Sequence, residues 1–128
     1  MLSDINDRGD IVKLLEKFYE VVMVDNEIGH HFVTLDLEAH LPIITDFWEK
    51  ILFGKPVYFN NPFLVHQELH ERSPLLPAHF ERWVKIFRET VDSLFAGPVA
   101  EDAKIKAGTI GSNLSQRLNG GVQIRPAS

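Results

Sequence analysis

HLPIITDFWEKILF, residues 40–53, places apolar side chains at Leu41, Ile44, Phe47, Trp48, Ile51 and Leu52. That spacing follows the 3.6-residue period of an α-helix with one face turned inward. The run GKPVYFNNP, residues 54–62, holds glycine, prolines and asparagines and ends the helix. FLVHQELH, residues 63–70, follows as a short segment carrying His66. Phe80, Trp83, Val84 and Phe87 then recur on one face of a further helix. Two histidines, His40 and His66, thus stand on neighbouring helices in a stretch dominated by aromatic and aliphatic residues.

Upstream, Ile11, Leu14, Leu15, Phe18, Val21 and Val22 predict an amphipathic helix from Asp10, its expected N-cap, to about Val24. Residues 1–9 read as a polar lead. Residues 25–29 form a connection, with Ile28 and Phe32 anchoring a short turn. Asp36 is the expected cap of the helix over residues 37–53. Pro42 lies inside that helix, where it removes a backbone hydrogen bond, so the regular part is expected to begin nearer His40. Downstream, Ser73, Pro74 and Pro77 start a helix over residues 78–95. Gly97 and Pro98 separate it from a last helix ending near Leu118, in which Gly108 and Gly111 permit close helix approach. Residues 119–128 read as a tail. No alternating strand pattern or internal repeat occurs. The expectation is an all-α chain forming one domain over residues 1–128.

Composition narrows the function. With 128 residues, 45% of them hydrophobic and 24% charged, the chain is an ordinary globular domain. A net charge of -5 argues against nucleic acid as a partner, because phosphate-binding domains carry excess Lys and Arg. Cysteine is absent, which removes disulfides, thiolate catalysis and zinc–thiolate sites. No apolar run approaches the ~18 residues of a membrane span, and no basic run suggests a membrane surface. The first ten residues lack the apolar core of a secretion signal, so a cytoplasmic location is expected.

The chemistry rests on whether His40 and His66 can meet. From His40 to Phe53 a helix travels roughly 20 Å, and the loop after it can span up to about 30 Å when extended. The short segment can therefore return and set His66 opposite the inner face of the long helix. No carboxylate stands at i+3 or i+4 from His66 to complete a zinc or di-iron set. A single axial nitrogen ligand in apolar surroundings suits haem iron better. Taken singly, each of these histidines is most simply structural, and Phe47, Trp48, Trp83 and Phe87 are most simply core. His30, His31, His70 and His79 are expected on the solvent side. The joint pattern is what points to a flat apolar cofactor.

Phe18-Tyr19, His40-Leu41-Pro42 leading to Phe47-Trp48, Tyr58 with Asn61-Pro62, His66, and His79-Phe80 with Arg82-Trp83 stand in order along the chain. This set resembles the third group of truncated haemoglobins, from about Asp10 to Leu118. The resemblance implies a shortened globin, a two-over-two helical sandwich, with haem b between the long helix and the short one that carries the proximal histidine. It implies His66 as the proximal iron ligand. Tyr19 matches the distal tyrosine, His40 the distal histidine, and Trp83 the tryptophan whose indole nitrogen lines the distal side. Ile44, Phe47 and Trp48 match apolar positions around the haem, Phe32 an aromatic that packs on it near the short turn, and Tyr58 belongs to the same cofactor-binding set. The Gly-Gly pairs of the other two truncated groups are missing, as they are in the third. Two positions depart from the pattern: Asn60 stands where glycine is common, and Leu37 where tryptophan is common.

The resemblance implies O2, NO or a similar diatomic as ligand, held by Tyr19 and Trp83 and gated by His40. Tight binding suits NO dioxygenation or peroxide chemistry with a reductase partner. A cofactor-free all-helical interaction module is the alternative, and a gas sensor is a rival within the haem class.

Overall fold

The computed structural model describes residues 2–56 and 62–119, with the backbone alone for residues 62–64. Five α-helices follow one another: α1 (Arg8–Val22), α2 (Leu37–Phe53), α3 (Pro62–Arg72), α4 (Pro77–Leu94) and α5 (Pro98–Leu118). A 3-10 turn, Gly29–Phe32, lies between α1 and α2. The described residues contain no strand, and the fold is all-α. None of their helices is long and apolar enough to cross a membrane.

The helix starts show how local chemistry corrects the sequence reading. Asp7, not Asp10, caps α1, and its carboxylate accepts from the Asp10 N–H. Asp10 instead accepts from the Asn6 N–H and stands in the first turn. Asp36 caps α2 as expected, accepting from the Ala39 N–H. The His40 N–H also bonds to the Asp36 carbonyl at 2.9 Å. This first turn is secured on both counts, so α2 is regular from Leu37 and continues through Pro42. Gly54 ends it in the left-handed conformation, φ 69°, where glycine carries no Cβ penalty.

The polar lead is tied into the fold. Ile5 is fully buried, and the Asp4 carboxylate accepts from the N–H groups of Val99 and Ala100 at the start of α5. Gly97, with φ 146°, has no room for a Cβ beside Asp4, so this junction requires glycine.

Two layers pack across one core. α1 lies against α2, α4 lies against α5, α1 meets α4, and α2 meets α5, which is the two-over-two arrangement. α3 packs on α5. Ala100, Ala103, Ala107 and Gly111 keep the buried face of α5 small, and a Cβ at Gly111 would press on Val84 at 2.8 Å. At the centre, Phe87 stacks between Trp48, at 4.8 Å, and Trp83, at 5.7 Å. Phe18 meets Phe87 edge-on at 5.5 Å. Each such ring contributes about 1.5–3 kcal/mol by burial, with further gain from ring geometry.

Candidate functional site

The inward stripe of α1, namely Ile11, Leu14, Leu15, Phe18 and Val22, is buried almost completely. Tyr19 flanks that stripe, four residues after Leu15, and leans toward the start of α2. Its ring is 5% exposed and packs edge-on against Phe18 at 5.2 Å and Phe32 at 6.0 Å. Its hydroxyl lies 3.0 Å from His40 Nε2. Burial pushes the Tyr19 hydroxyl well above its ordinary pKa, so it stays protonated.

His40 is half-buried in the first turn of α2. Burial, and after it the charge of His66, hold its pKa below the ordinary value. The structure brings Tyr19 and His40 together, joining α1 to the start of α2, while His66 stands on α3.

On α2, Trp48 and Thr45 are buried, and Leu41, Ile44, Phe47, Ile51 and Leu52 are half-buried and pack against the same core. His40, also half-buried, stands at the start of the line that continues through Ile44, Phe47 and Ile51. Among those residues α3 packs on α5 rather than helix-on-helix against α2. Ile43 on α2 and Val65 on α3 are 44% and 52% exposed. An apolar strip with a hydroxyl and an imidazole at one end suits a flat apolar group.

Trp83 sits at the inner edge of the region, 5.8 Å from Phe18 and nearly perpendicular to it. Among the described residues its indole N–H has no hydrogen-bond partner. Trp48, expected beside the cofactor, is 2% exposed and stacks face to face on Phe87 within the core. Phe32 contacts the Tyr19 ring. Tyr58 falls outside the described residues, as do Asn60 and Asn61.

The chain from residue 4 to 110 matches the family of bacterial-like globins. It is 33% identical over 95 residues to the group 3 truncated hemoglobin ctb of Campylobacter jejuni, a match covering 70% of this chain and 72% of that protein. The chain is a group 3 truncated haemoglobin. The crystal structure of the group III truncated hemoglobin from Campylobacter jejuni superposes on it with a TM-score of 0.81 and 28% identity, over 92% of this chain and 95% of that one. As a globin it is a haem protein that binds diatomic ligands.

The other histidines of this truncated haemoglobin are not all on the solvent side. His31 is buried, 7% exposed, with Nδ1 2.7 Å from Ser73 Oγ and Nε2 3.0 Å from His79 Nδ1. Burial, reinforced by His30 and His79, lowers its pKa to about 4, so it is neutral at pH 7. His79 is half-buried because it stands in the first turn of α4, where Nδ1 accepts from the Leu76 N–H. His70 lies four residues after His66 on α3, the spacing of a helical metal pair, but its Nδ1 accepts from the Leu75 N–H at 2.9 Å. The signal for the buried group was the His30-His31 pair between the anchors Ile28 and Phe32. In so short a turn, consecutive side chains diverge, and Phe32 reaches Tyr19 while His31 reaches His79.

Proposed function

We propose that this truncated haemoglobin holds haem b between α2 and α3, with His66 as the proximal ligand and Tyr19, His40 and Trp83 on the distal side. The absence of cysteine from the sequence favours non-covalent haem b over a thioether-linked haem. The observation that carries the reading is the buried, protonated Tyr19 hydroxyl 3.0 Å from His40 Nε2, at the start of the helix that bears Ile44 and Phe47. Bound haem supplies the iron that takes up O2 or NO and exchanges electrons.

The residues do the rest. Ile44, Phe47 and Phe32 would exclude water and give the haem edge apolar contact, Tyr58 joins that set by resemblance, and Trp48 supports it from the core behind. The Tyr19 hydroxyl and the Trp83 indole donate hydrogen bonds to the diatomic ligand, where negative charge gathers on its outer atom. His40, being neutral, offers one donor and one acceptor nitrogen. As acceptor it holds the Tyr19 proton in the ligand-free pocket. As donor, in its other tautomer, it supports the Tyr19 oxygen and turns the phenol proton toward the ligand. This exchange makes His40 a gate rather than a holder.

Two donors on one ligand slow its release, which suits NO dioxygenation or peroxide handling better than transport. Nitrate formation from NO and O2 takes one electron per turnover, so a reductase is the partner required. The test is spectroscopic and then chemical. Purified protein should show a strong Soret band, and O2-loaded protein should consume NO with stoichiometric nitrate. A colourless preparation after haem supplementation defeats the haem b assignment. A Soret band without nitrate defeats the dioxygenation alone.

A further inference from the structure

We propose that His30, His31 and His79 form a second metal site, taking a divalent transition ion of intermediate softness such as Zn2+ or Cu2+. It lies where the 3-10 turn meets the start of α4, and it is distinct from the residues assigned to haem. One ring nitrogen from each histidine lies within 4.8 Å of the others. The closest pair, His31 Nε2 and His79 Nδ1, are 3.0 Å apart. Nitrogen ligands at ~2.0–2.1 Å around a tetrahedral ion stand roughly 3.3 Å from one another. The pair is therefore already at ligand spacing, and the exposed His30 needs only a small swing.

Tautomer chemistry argues in the same direction. His79 Nδ1 accepts from the Leu76 N–H at 3.2 Å, so it carries a lone pair. His31 Nε2 then donates a proton to it, and His31 Nδ1 accepts from the Ser73 hydroxyl. A cation replaces that shared proton directly. His31 would move its proton to Nδ1 and donate to Ser73 Oγ, the outer hydrogen bond that fixes the ring of a metal-bound histidine. The Leu76 N–H gives up its acceptor, and because Leu76 is 48% exposed, water can take the bond.

Charge does not oppose the ion. Arg82, one turn along α4, is answered by Asp25 at 2.7 Å and Glu27 at 3.1 Å. Imidazole ligands suit Zn2+ and Cu2+, and the exposed side of His30 leaves a fourth position for water.

Untagged, haem-loaded protein should be titrated with Zn2+ against a chromophoric chelator, and with Cu2+ by EPR. One equivalent of Zn2+ per chain is expected, with nitrogen hyperfine structure on Cu2+. His30 is exposed, with its ring 4.0 Å from that of buried His31, and His30→Ala should weaken Zn2+ binding at least about tenfold, by analogy with the loss from a supporting ligand. Ser73→Ala should weaken it about 10–100-fold, while His70→Ala should leave it unchanged. His79→Gln should abolish it, and far-UV circular dichroism checks that this variant is folded. If His79→Gln unfolds, His30→Ala decides alone. Wild-type protein that takes up no Zn2+ at micromolar concentration, or a His30→Ala variant with unaltered affinity, overturns the site.

Discussion

Tyr19→Phe isolates one hydroxyl. The ring is 5% exposed and held by Phe18 and Phe32, so phenylalanine keeps the packing and opens no cavity. What disappears is the donor to the ligand and the contact with His40 Nε2 at 3.0 Å. A hydrogen bond to a partly charged acceptor is worth on the order of 1.5–3 kcal/mol. At about 1.36 kcal/mol per factor of ten, O2 release should quicken roughly ten- to a hundredfold. Where in that range it falls depends on His40. If the ligand must compete with His40 for the phenol proton, only the difference between two bonds is lost, and the change lies near tenfold. If His40 donates to the phenol oxygen, the proton is uncommitted and the change lies near a hundredfold. CO gathers less charge on its outer atom and should respond less. Stopped-flow O2 dissociation on Tyr19→Phe, Trp83→Phe and the double variant measures each donor and their coupling. Wild-type O2 release from a folded Tyr19→Phe protein, with only a lowered melting temperature, would refute the reasoning and leave Tyr19 a core residue.

His66→Ala should lose haem or its normal ferrous spectrum and regain part of it with imidazole; an unchanged spectrum would move the proximal role to another histidine. His40→Leu should alter CO association more than O2 dissociation, and the opposite pattern in stopped flow would make His40 a holder rather than a gate. Removing haem should lower the melting temperature, because a ligand bound to the folded state alone stabilises it by mass action; equal melting curves with and without haem would count against a cofactor in the core. Asp25→Ala should cost on the order of 2 kcal/mol, since Asp25 accepts from the Glu27 and Ile28 N–H groups as well as from Arg82. The Arg82 bond, with those N–H groups, holds the Asp25 carboxyl below its ordinary 3.8. Its contribution is thus present above about pH 3.8 and is lost as pH falls through the lower folded value, so acid unfolding should flatten in Asp25→Asn.

The α2 boundaries and the cap Asp36 were legible because an apolar period, a capping aspartate and a terminating glycine coincide there. The α1 start was misread by three residues because Asp7 and Asp10 are both competent caps, and only the path of Ile5 into the core chooses between them. Of the candidate site, Tyr19, His40 and His66 could be singled out as candidates through order and resemblance. The Tyr19–His40 bond was not, since it joins side chains on two helices whose crossing no local pattern encodes. Trp48 illustrates the limit of periodicity. It follows Phe47 on the long helix, and one step of about 100° around the axis turns it onto Phe87 in the core. His31 was missed for a related reason: a histidine in a short turn has no periodic face, and its burial depends on Ser73 and His79, more than forty residues away.

Uneven burial around α2 explains how one helix can serve both stability and ligand chemistry. Leu41, Thr45, Trp48 and Leu52 face the core, and Thr45 answers its own hydroxyl through the Leu41 carbonyl at 2.7 Å. This part of the helix needs no cofactor to be satisfied. Ile44, Phe47 and Ile51, one residue back around the axis, also pack on the core but keep part of their surface uncovered, and under the proposed reading a flat cofactor would cover it at about 25 cal/mol per Å2. The helix is anchored independently at its ends. Asp36 caps its first turn, and at the other end Glu49 is buried against Arg8 at 2.6 Å and Gly54 closes the last turn. A helix fixed by one face and its termini can present the other face without collapsing onto it. Under the proposed reading the polar atoms stand at its rim, with Tyr19 and His40 at the α1–α2 edge and Trp83 on α4, where they would meet a ligand outside the strip that would grip the ring. A substitution at the buried Thr45 or Trp48 should therefore act through folding, and one at the half-buried Ile44 or Phe47 through haem affinity as well, although single residues separate them.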